Sequence, residues 1–411
     1  MPNWIKNYSG MIWLLTGIIA GSVAGLFLNK ELIMGVLKPI GDIFLNLLFV
    51  AVIPLVFFAV SSAIANLHGT KKLSRIMFIM SAVFVGTVII AALLTIAGVS
   101  LFPVHMDKVV TLIPEEGKKT ALGDQITSIF TTDQLYQLLS RKNMLALIIF
   151  SLLVGFGTLQ SGEKGTAFTG FLNSANEVFK NMFIIIMKPA PIGLGAYFAV
   201  QVATFGPSLF GTYGKTLGVG YAVSIFYYLV FYSIYAFIAG GISGIKRYWK
   251  NNIIPSATAV GTCSSIATIP ANLDAAKKMG ISDTIASIVV PLGGTLHKDG
   301  SSVSSILKMA VVFAMFGRGF DSAETIIIAL GVTVLVSIVE GGIPNGGYVG
   351  ELLFISVYGL PPQALPPAII IGTLIDPVAT LLNATGDTAA ALLVNRFVEG
   401  RNWLTTANQT D

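Results

Sequence analysis

"GTCSSIATIP" (residues 261–270) and "EGGIPNGG" (340–347) decide the fold: each interrupts an apolar run with glycine, small polar residues or both, and a proline. Non-helical backbone inside a membrane is tolerated only where protein or a water-filled cavity satisfies its N–H and C=O groups. Paired breaks of this kind in an apolar chain point to a transporter's midplane binding site. Serine and glycine at the tips, Ser264, Ser265 and Gly346 among them, let ligand and backbone approach closely. Helix ends there offer N–H groups to a carboxylate. The alternative is a pair of glycine-kinked helices that bind nothing.

The rest of the chain fits a membrane setting. Of its 411 residues 54% are hydrophobic and 11% charged, so the average segment prefers hydrocarbon to water. Apolar segments lie at about 11–28, 40–65, 76–102, 144–160, 167–203, 213–243, 281–317 and 364–396. A helix of about 20 residues crosses a ~30 Å hydrocarbon core, whereas a β-barrel would show short alternating strands. The expected fold is therefore an all-α polytopic membrane protein with eight transmembrane helices, and the interrupted stretches 251–280 and 331–360 read as re-entrant hairpins. No cleavable leader is expected, because the first apolar run follows Lys6 directly with no small-residue cleavage site after it. Basic residues cluster in "HGTKKLSR" (68–75) and "GIKRYWKNN" (244–252) but are few in 29–39 and 204–215, which puts both termini in the cytoplasm. The polar insertion 103–143, with "PEEGKK" at its centre, reads as an extracellular loop. Such compact loops suit a bacterial inner membrane.

A net charge of +5 without a dense basic patch fits cytoplasmic loops and not a nucleic-acid partner. The single cysteine, Cys263, excludes an internal disulfide and a multi-cysteine metal cluster, and three scattered histidines make a histidine metal site a poor reading. No cofactor is expected.

The informative polar residues sit in apolar surroundings. Asp376, Thr380, Asn383 and Asp387 follow one another at steps of four, three and four, which is one face of the last helix. Ionisable groups buried in a membrane are costly and usually functional. Helix–helix hydrogen bonding is the other reading for Thr380 and Asn383. "GGTLHKDGSS" (293–302) carries His297, Lys298 and Asp299 in a row, and Lys308 and Glu351 also interrupt apolar runs, with no role beyond a cavity-facing or trimer-surface position.

At these residues the chain resembles the dicarboxylate/amino acid:cation symporter family, the glutamate transporter homologues. The resemblance spans nearly the whole chain and is most specific in "AAKKMGIS" (275–282), "PLGGTLHKDG" (291–300), "GGIPNGG" (341–347) and "NATGD" (383–387). It implies a homotrimer with inverted repeats and an elevator mechanism, in which a transport domain moves against a static scaffold. Scaffold helices one and two would fall in 1–75, transport-domain helix three in 76–102, the extracellular loop in 103–143, scaffold helices four and five in 144–203, and transport-domain helix six in 204–250. The first hairpin would occupy 251–280, helix seven 281–317, the second hairpin 331–360 and helix eight 364–400.

The resemblance also implies roles. Asp376 matches the aspartate that takes the substrate's amino group, Thr380 and Asn383 match residues near its carboxylate and side chain, and Ser264 and Ser265 fall in the serine-rich hairpin tip. Asn383 and Asp387 match ligands of one sodium site, oxygen donors that suit a hard cation.

Departures from the family pattern bear on substrate and ion. Where acidic-substrate relatives carry an arginine for the side-chain carboxylate, this chain has Ala379 and Cys263. A buried carboxylate without that partner is costly, which favours a small neutral amino acid, unless Lys298 supplies the charge. Asparagine and methionine of the pattern are His297 and Lys298 here, and a tyrosine and a serine are Phe84 and Val88, with Thr87 kept. One sodium site is therefore expected to be disabled. Glu340 aligns with a threonine of a second sodium site, so Lys298 is expected either to pair with Glu340, allowing proton coupling, or to snorkel toward water. The function expected is a secondary active symporter of a small neutral amino acid, with weak or no sodium coupling and a proton as the other coupling ion. The alternative is a sodium-coupled carrier of acidic amino acids or dicarboxylates. An intramembrane hydrolase built on Ser264 or Ser265 with Lys298, and an ion channel, are the rival classes.

Overall fold

Apolar segments this long fold as helices because hydrocarbon offers their backbone groups no other partner. The computed structural model describes residues 3–66, 71–104, 131–140, 143–205, 208–339, 347–400 and 403, and among them the regular structure is helical, without a strand. Helices α1 (Asn3–Phe27), α2 (Lys38–Ala65), α3 (Lys71–Leu101) and α4 (Met144–Gln160) cover the first four apolar segments. The fifth, expected at 167–203, is two helices, α5 (Thr166–Met187) and α6 (Ala190–Phe205), bent by 57° at their junction. Pro189 and Pro191 explain the bend, since each lacks an N–H and disfavours helical geometry in the residue before it.

Helix α7 (Ser208–Phe226) runs through a π turn, Tyr227–Phe231, into α8 (Tyr232–Asn251), whose backbone leaves helical geometry at Gly240 and Gly241. The first interrupted stretch is a helix pair, α9 (Ile253–Thr262) and α10 (Ser265–Met279), which pack on each other across a two-residue turn. Ser264 caps α10 by accepting the Ala267 N–H at 3.2 Å. The seventh apolar segment is also broken: α11 (Asp283–Leu296) and α12 (Asp299–Met315) are separated by His297 and Lys298 in extended and intermediate backbone. Helices α13 (Ala323–Val339), α14 (Gly347–Val357) and α15 (Leu365–Glu399) complete the chain. Glu340 and Gly346 lie outside the described residues, as does most of the 103–143 insertion.

Among the described residues three helical stretches are long and apolar enough to cross a membrane, Ser74–Leu101, Gly211–Asn251 and Pro362–Glu399, and the bent α5–α6 pair makes a fourth. The core is built on α12 and α15: α12 is buried on all sides, and α15 is buried over most of its length between α3, α7, α8, α9, α10 and α11. A helix without a solvent face belongs to a bundle interior. On the other side of the molecule α1 packs on α6, and α2 on α4, α5 and α6. The α1–α6 approach is backbone to backbone, since a Cβ added at Gly21 would lie 2.0 Å from the Gly195 carbonyl oxygen.

Cys263, the single cysteine of the chain, ends α9 in left-handed backbone (φ 47°, ψ 38°), the only non-glycine residue with positive φ among those described. That conformation costs an L-residue about 1–2 kcal/mol. Cys263→Gly is expected to raise the thermal midpoint in detergent and Cys263→Val, β-branched, to lower it, with circular dichroism as the readout.

Candidate functional site

The break between α11 and α12 places His297 at the centre of a buried charge cluster. Its Nδ1 lies 3.2 Å from Asp387 Oδ1, and its Nε2 lies 3.1 Å from Asp299 Oδ1 and 2.8 Å from Thr87 Oγ1. The ring stacks on Phe84 with centroids 4.5 Å apart and planes 24° apart. His297 is 1% exposed and both carboxylates are 0% exposed. Two carboxylates at that depth require compensation: the imidazole hydrogen-bonds Asp387 through Nδ1 and Thr87 through Nε2, and stands within ion-pair distance of Asp299 Oδ1, which accepts no hydrogen bond.

Three helices besides α11 and α12 build this cluster. From the π turn and the start of α8, Tyr227 and Tyr232 donate to Asp299 Oδ2 at 3.1 and 3.3 Å. Each phenol shares its single proton with a second acceptor, Tyr232 with the Leu382 carbonyl at 2.6 Å and Tyr227 with the Thr87 carbonyl at 3.1 Å, so the phenols fasten α8 to α15 and α7 to α3. Ser302 donates to the Val88 carbonyl at 2.8 Å.

Asn383 closes the start of α12. Its amide oxygen accepts the N–H groups of Gly300 and Ser301 at 2.8 and 3.1 Å, and its nitrogen donates to Ser301 Oγ at 3.2 Å. The oxygen that the resemblance offers to a cation is here a helix cap. Asp376 and Thr380 lie two turns and one turn closer to the start of α15, where Thr380 Oγ1 donates to Asp376 Oδ1 at 3.3 Å. Asp376 is exposed and lines a cavity between α12, α15 and the α1–α6 layer.

Lys298 neither reaches water nor stays apart from its own segment. It is 7% exposed and donates to the Gly294 carbonyl at 2.7 Å, which overturns the snorkelling expectation. Its pairing with Glu340 concerns a residue outside those described. Ser265 is buried, and its carbonyl is the neighbour that a Cβ on Gly294 would meet at 3.8 Å, so the α10 start lies beside the end of α11. The structure thus gathers His297, Asp299, Asp387 and Asn383 at one place and Asp376 with Thr380 at the next turns. Among the described residues no group of three or more His, Cys, Asp or Glu is arranged to hold a metal ion. The tyrosines were missed in the sequence, although phenols at 227, 232 and 235 in an otherwise apolar helix were the available signal.

Buried titratable groups in the interior of a long-helical apolar bundle define a membrane transport protein, and comparison with known proteins is specific about which kind. The model of the sodium:dicarboxylate symporter family matches residues 11–397, and the chain belongs to that family. It is a family of transporters, not of enzymes, which sets aside the serine–lysine hydrolase reading. The chain is similar to the proton/sodium-glutamate symport protein of Bacillus caldotenax, at 26% identity over 402 residues covering 94% of each chain. It is 25% identical over 397 residues to the protein of that name from Bacillus subtilis, covering 93% of this chain and 91% of the relative. It is also 26% identical over 400 residues to the C4-dicarboxylate transport protein of Rhizobium etli, covering 94% and 88%.

Removing the Tyr232 hydroxyl takes away the one proton that the Leu382 carbonyl at 2.6 Å and Asp299 Oδ2 at 3.3 Å share in a buried site. Tyr232→Phe is expected to cost about 1–3 kcal/mol of stability. In an Asp299→Asn background the loss is expected to shrink, which a double-mutant cycle by thermal unfolding would measure.

Proposed function

We propose that the protein is a secondary active symporter of a small neutral amino acid, in which the His297 imidazole stands where the resemblance puts a sodium ion. The observation that carries this reading is the ring's position between Asp299, Asp387 and Thr87, at 3.1, 3.2 and 2.8 Å. A sodium ion at that point would need the same oxygens the ring nitrogens already face. Sodium coupling is accordingly weak or absent, and a proton gradient supplies the drive. Asp376, with Thr380 beside it, takes the substrate's ammonium group, and Ser264, Ser265 and Gly346 take its carboxylate from the hairpin tips.

The neutral substrate follows from Ala379 and Cys263 at the arginine positions, together with the engagement of Lys298 by the Gly294 carbonyl. In this reading α9–α10 and the 331–360 stretch are the re-entrant hairpins, α11, α12 and α15 travel with them in an elevator movement, and α1, α2, α4, α5 and α6 form the scaffold of a homotrimer. The protein sits in a bacterial inner membrane with both termini in the cytoplasm.

The second reading is a sodium-coupled carrier of acidic amino acids or dicarboxylates. It is favoured by the substrates in the names of the similar proteins from Bacillus and Rhizobium. Counterflow uptake in proteoliposomes, with a panel of neutral and acidic amino acids and C4-dicarboxylates, separates the two. Neutral-substrate uptake that persists when sodium is replaced and rises with an inward proton gradient supports the first; sodium-dependent uptake of acidic substrates alone supports the second. A gain-of-function variant probes the ring's role: His297→Asn with Phe84→Tyr and Val88→Ser is expected to make uptake sodium-stimulated by at least threefold. A sodium response equal to that of the unaltered protein would contradict it.

A further inference from the structure

Lys308 on α12 and Glu351 on α14 form an ion pair, Nζ to Oε1 2.9 Å, with side chains 4% and 2% exposed. Desolvating two charges is costly enough that a buried pair contributes little net stability compared with apolar residues of the same volume. The fold nevertheless makes room for it: a Cβ on Gly372 of α15 would lie 2.6 Å from Glu351 Oε1 and 2.6 Å from Lys308 Cε. Three helices are thus shaped around one salt bridge.

The pair is not sealed in the core. It lines the same cavity as Asp376, a space of about 1020 Å³ that Ser304 and Thr373 also line. Gly372 precedes Asp376 by four residues on α15, so the pair stands about 6 Å along the helix axis from the aspartate. A ligand whose ammonium group meets Asp376 therefore extends within reach of Lys308. Lys188, the other cation among the residues that line the cavity, comes from the end of α5.

We propose that Glu351 is a built-in carboxylate that occupies Lys308, so that the cavity accepts an amino acid without a side-chain carboxylate and turns away one that has it. An acidic side chain entering the cavity would have to displace Glu351 from Lys308, an exchange of one carboxylate for another that leaves Glu351 buried without its partner. A neutral side chain makes no such demand. Specificity of this kind comes from a group that opposes the wrong ligand as well as from contacts to the right one. The inference rests on the reading of the protein as a neutral amino acid carrier with Asp376 at the ammonium group.

The test compares the unaltered protein with Glu351→Gln and with the double variant Lys308→Met/Glu351→Met in proteoliposomes. Alanine, serine and threonine are the neutral probes, and aspartate, glutamate and succinate the acidic ones. In Glu351→Gln, half-inhibition of neutral uptake by aspartate or glutamate is expected to fall at least tenfold; the double variant, without Lys308, is expected to keep neutral uptake and gain no acid sensitivity. Unchanged acid sensitivity in Glu351→Gln, or an equal gain in the double variant, overturns the proposal. Where Glu351→Gln is too unstable for uptake, its thermal midpoint in detergent serves instead: aspartate or glutamate is expected to raise it by more than either raises the midpoint of the unaltered protein, and equal shifts in the two proteins overturn the proposal. Neutral uptake by the unaltered protein tests the underlying reading separately, so the two fail by different results.

Discussion

Two carboxylates, Asp299 and Asp387, are held with no solvent exposure in the middle of an apolar bundle, and much of the surrounding structure follows from what that requires. Water cannot serve them, so donors must come from the protein. His297 turns one ring nitrogen toward each, Tyr227 and Tyr232 donate to the second oxygen of Asp299, and Thr87 meets the ring from α3. The contributing residues come from α3, the α7–α8 junction, the α11–α12 break and α15, and so the compensation of two charges is also what ties these segments together.

That requirement explains the local backbone. A continuous helix through 297–298 would carry His297 on an ordinary helical face; the break lets it stand between α12 and α15. The break in turn exposes the first N–H groups of α12, and Asn383 accepts two of them. The π turn at Tyr227–Phe231 shifts the helical register between Tyr227 and Tyr232, and both phenols reach the same oxygen of Asp299. Each irregularity is matched by a polar partner, as membrane burial demands.

Much of this architecture was legible in the amino-acid sequence. The polar spacing of Asp376, Thr380, Asn383 and Asp387 marked the last helix, and the glycine, serine and proline at 261–270 marked the α9–α10 turn, because both signals depend on local chemistry. Other features depend on distant partners and were not legible. Lys298 drew attention as the unusual cation, yet the residue that bridges the carboxylates is His297, whose position is set by a backbone break and by Phe84 210 or so residues away in the chain. Lys308 and Glu351 stood out one at a time, but nothing in their separation of 43 residues signalled a contact. The bend between α5 and α6 was hidden by an unbroken apolar run, although Pro189 and Pro191 mark it in retrospect.

The account turns on a side chain standing at a cation's place. The most direct measurement is an experimental density map of the protein in a lipid nanodisc at saturating sodium, at a resolution that separates ions from side chains. The account expects the His297 ring between Asp299 and Asp387, with no ion density within coordinating distance of either carboxylate. An ion bound to both, with the imidazole displaced from between them, would contradict it.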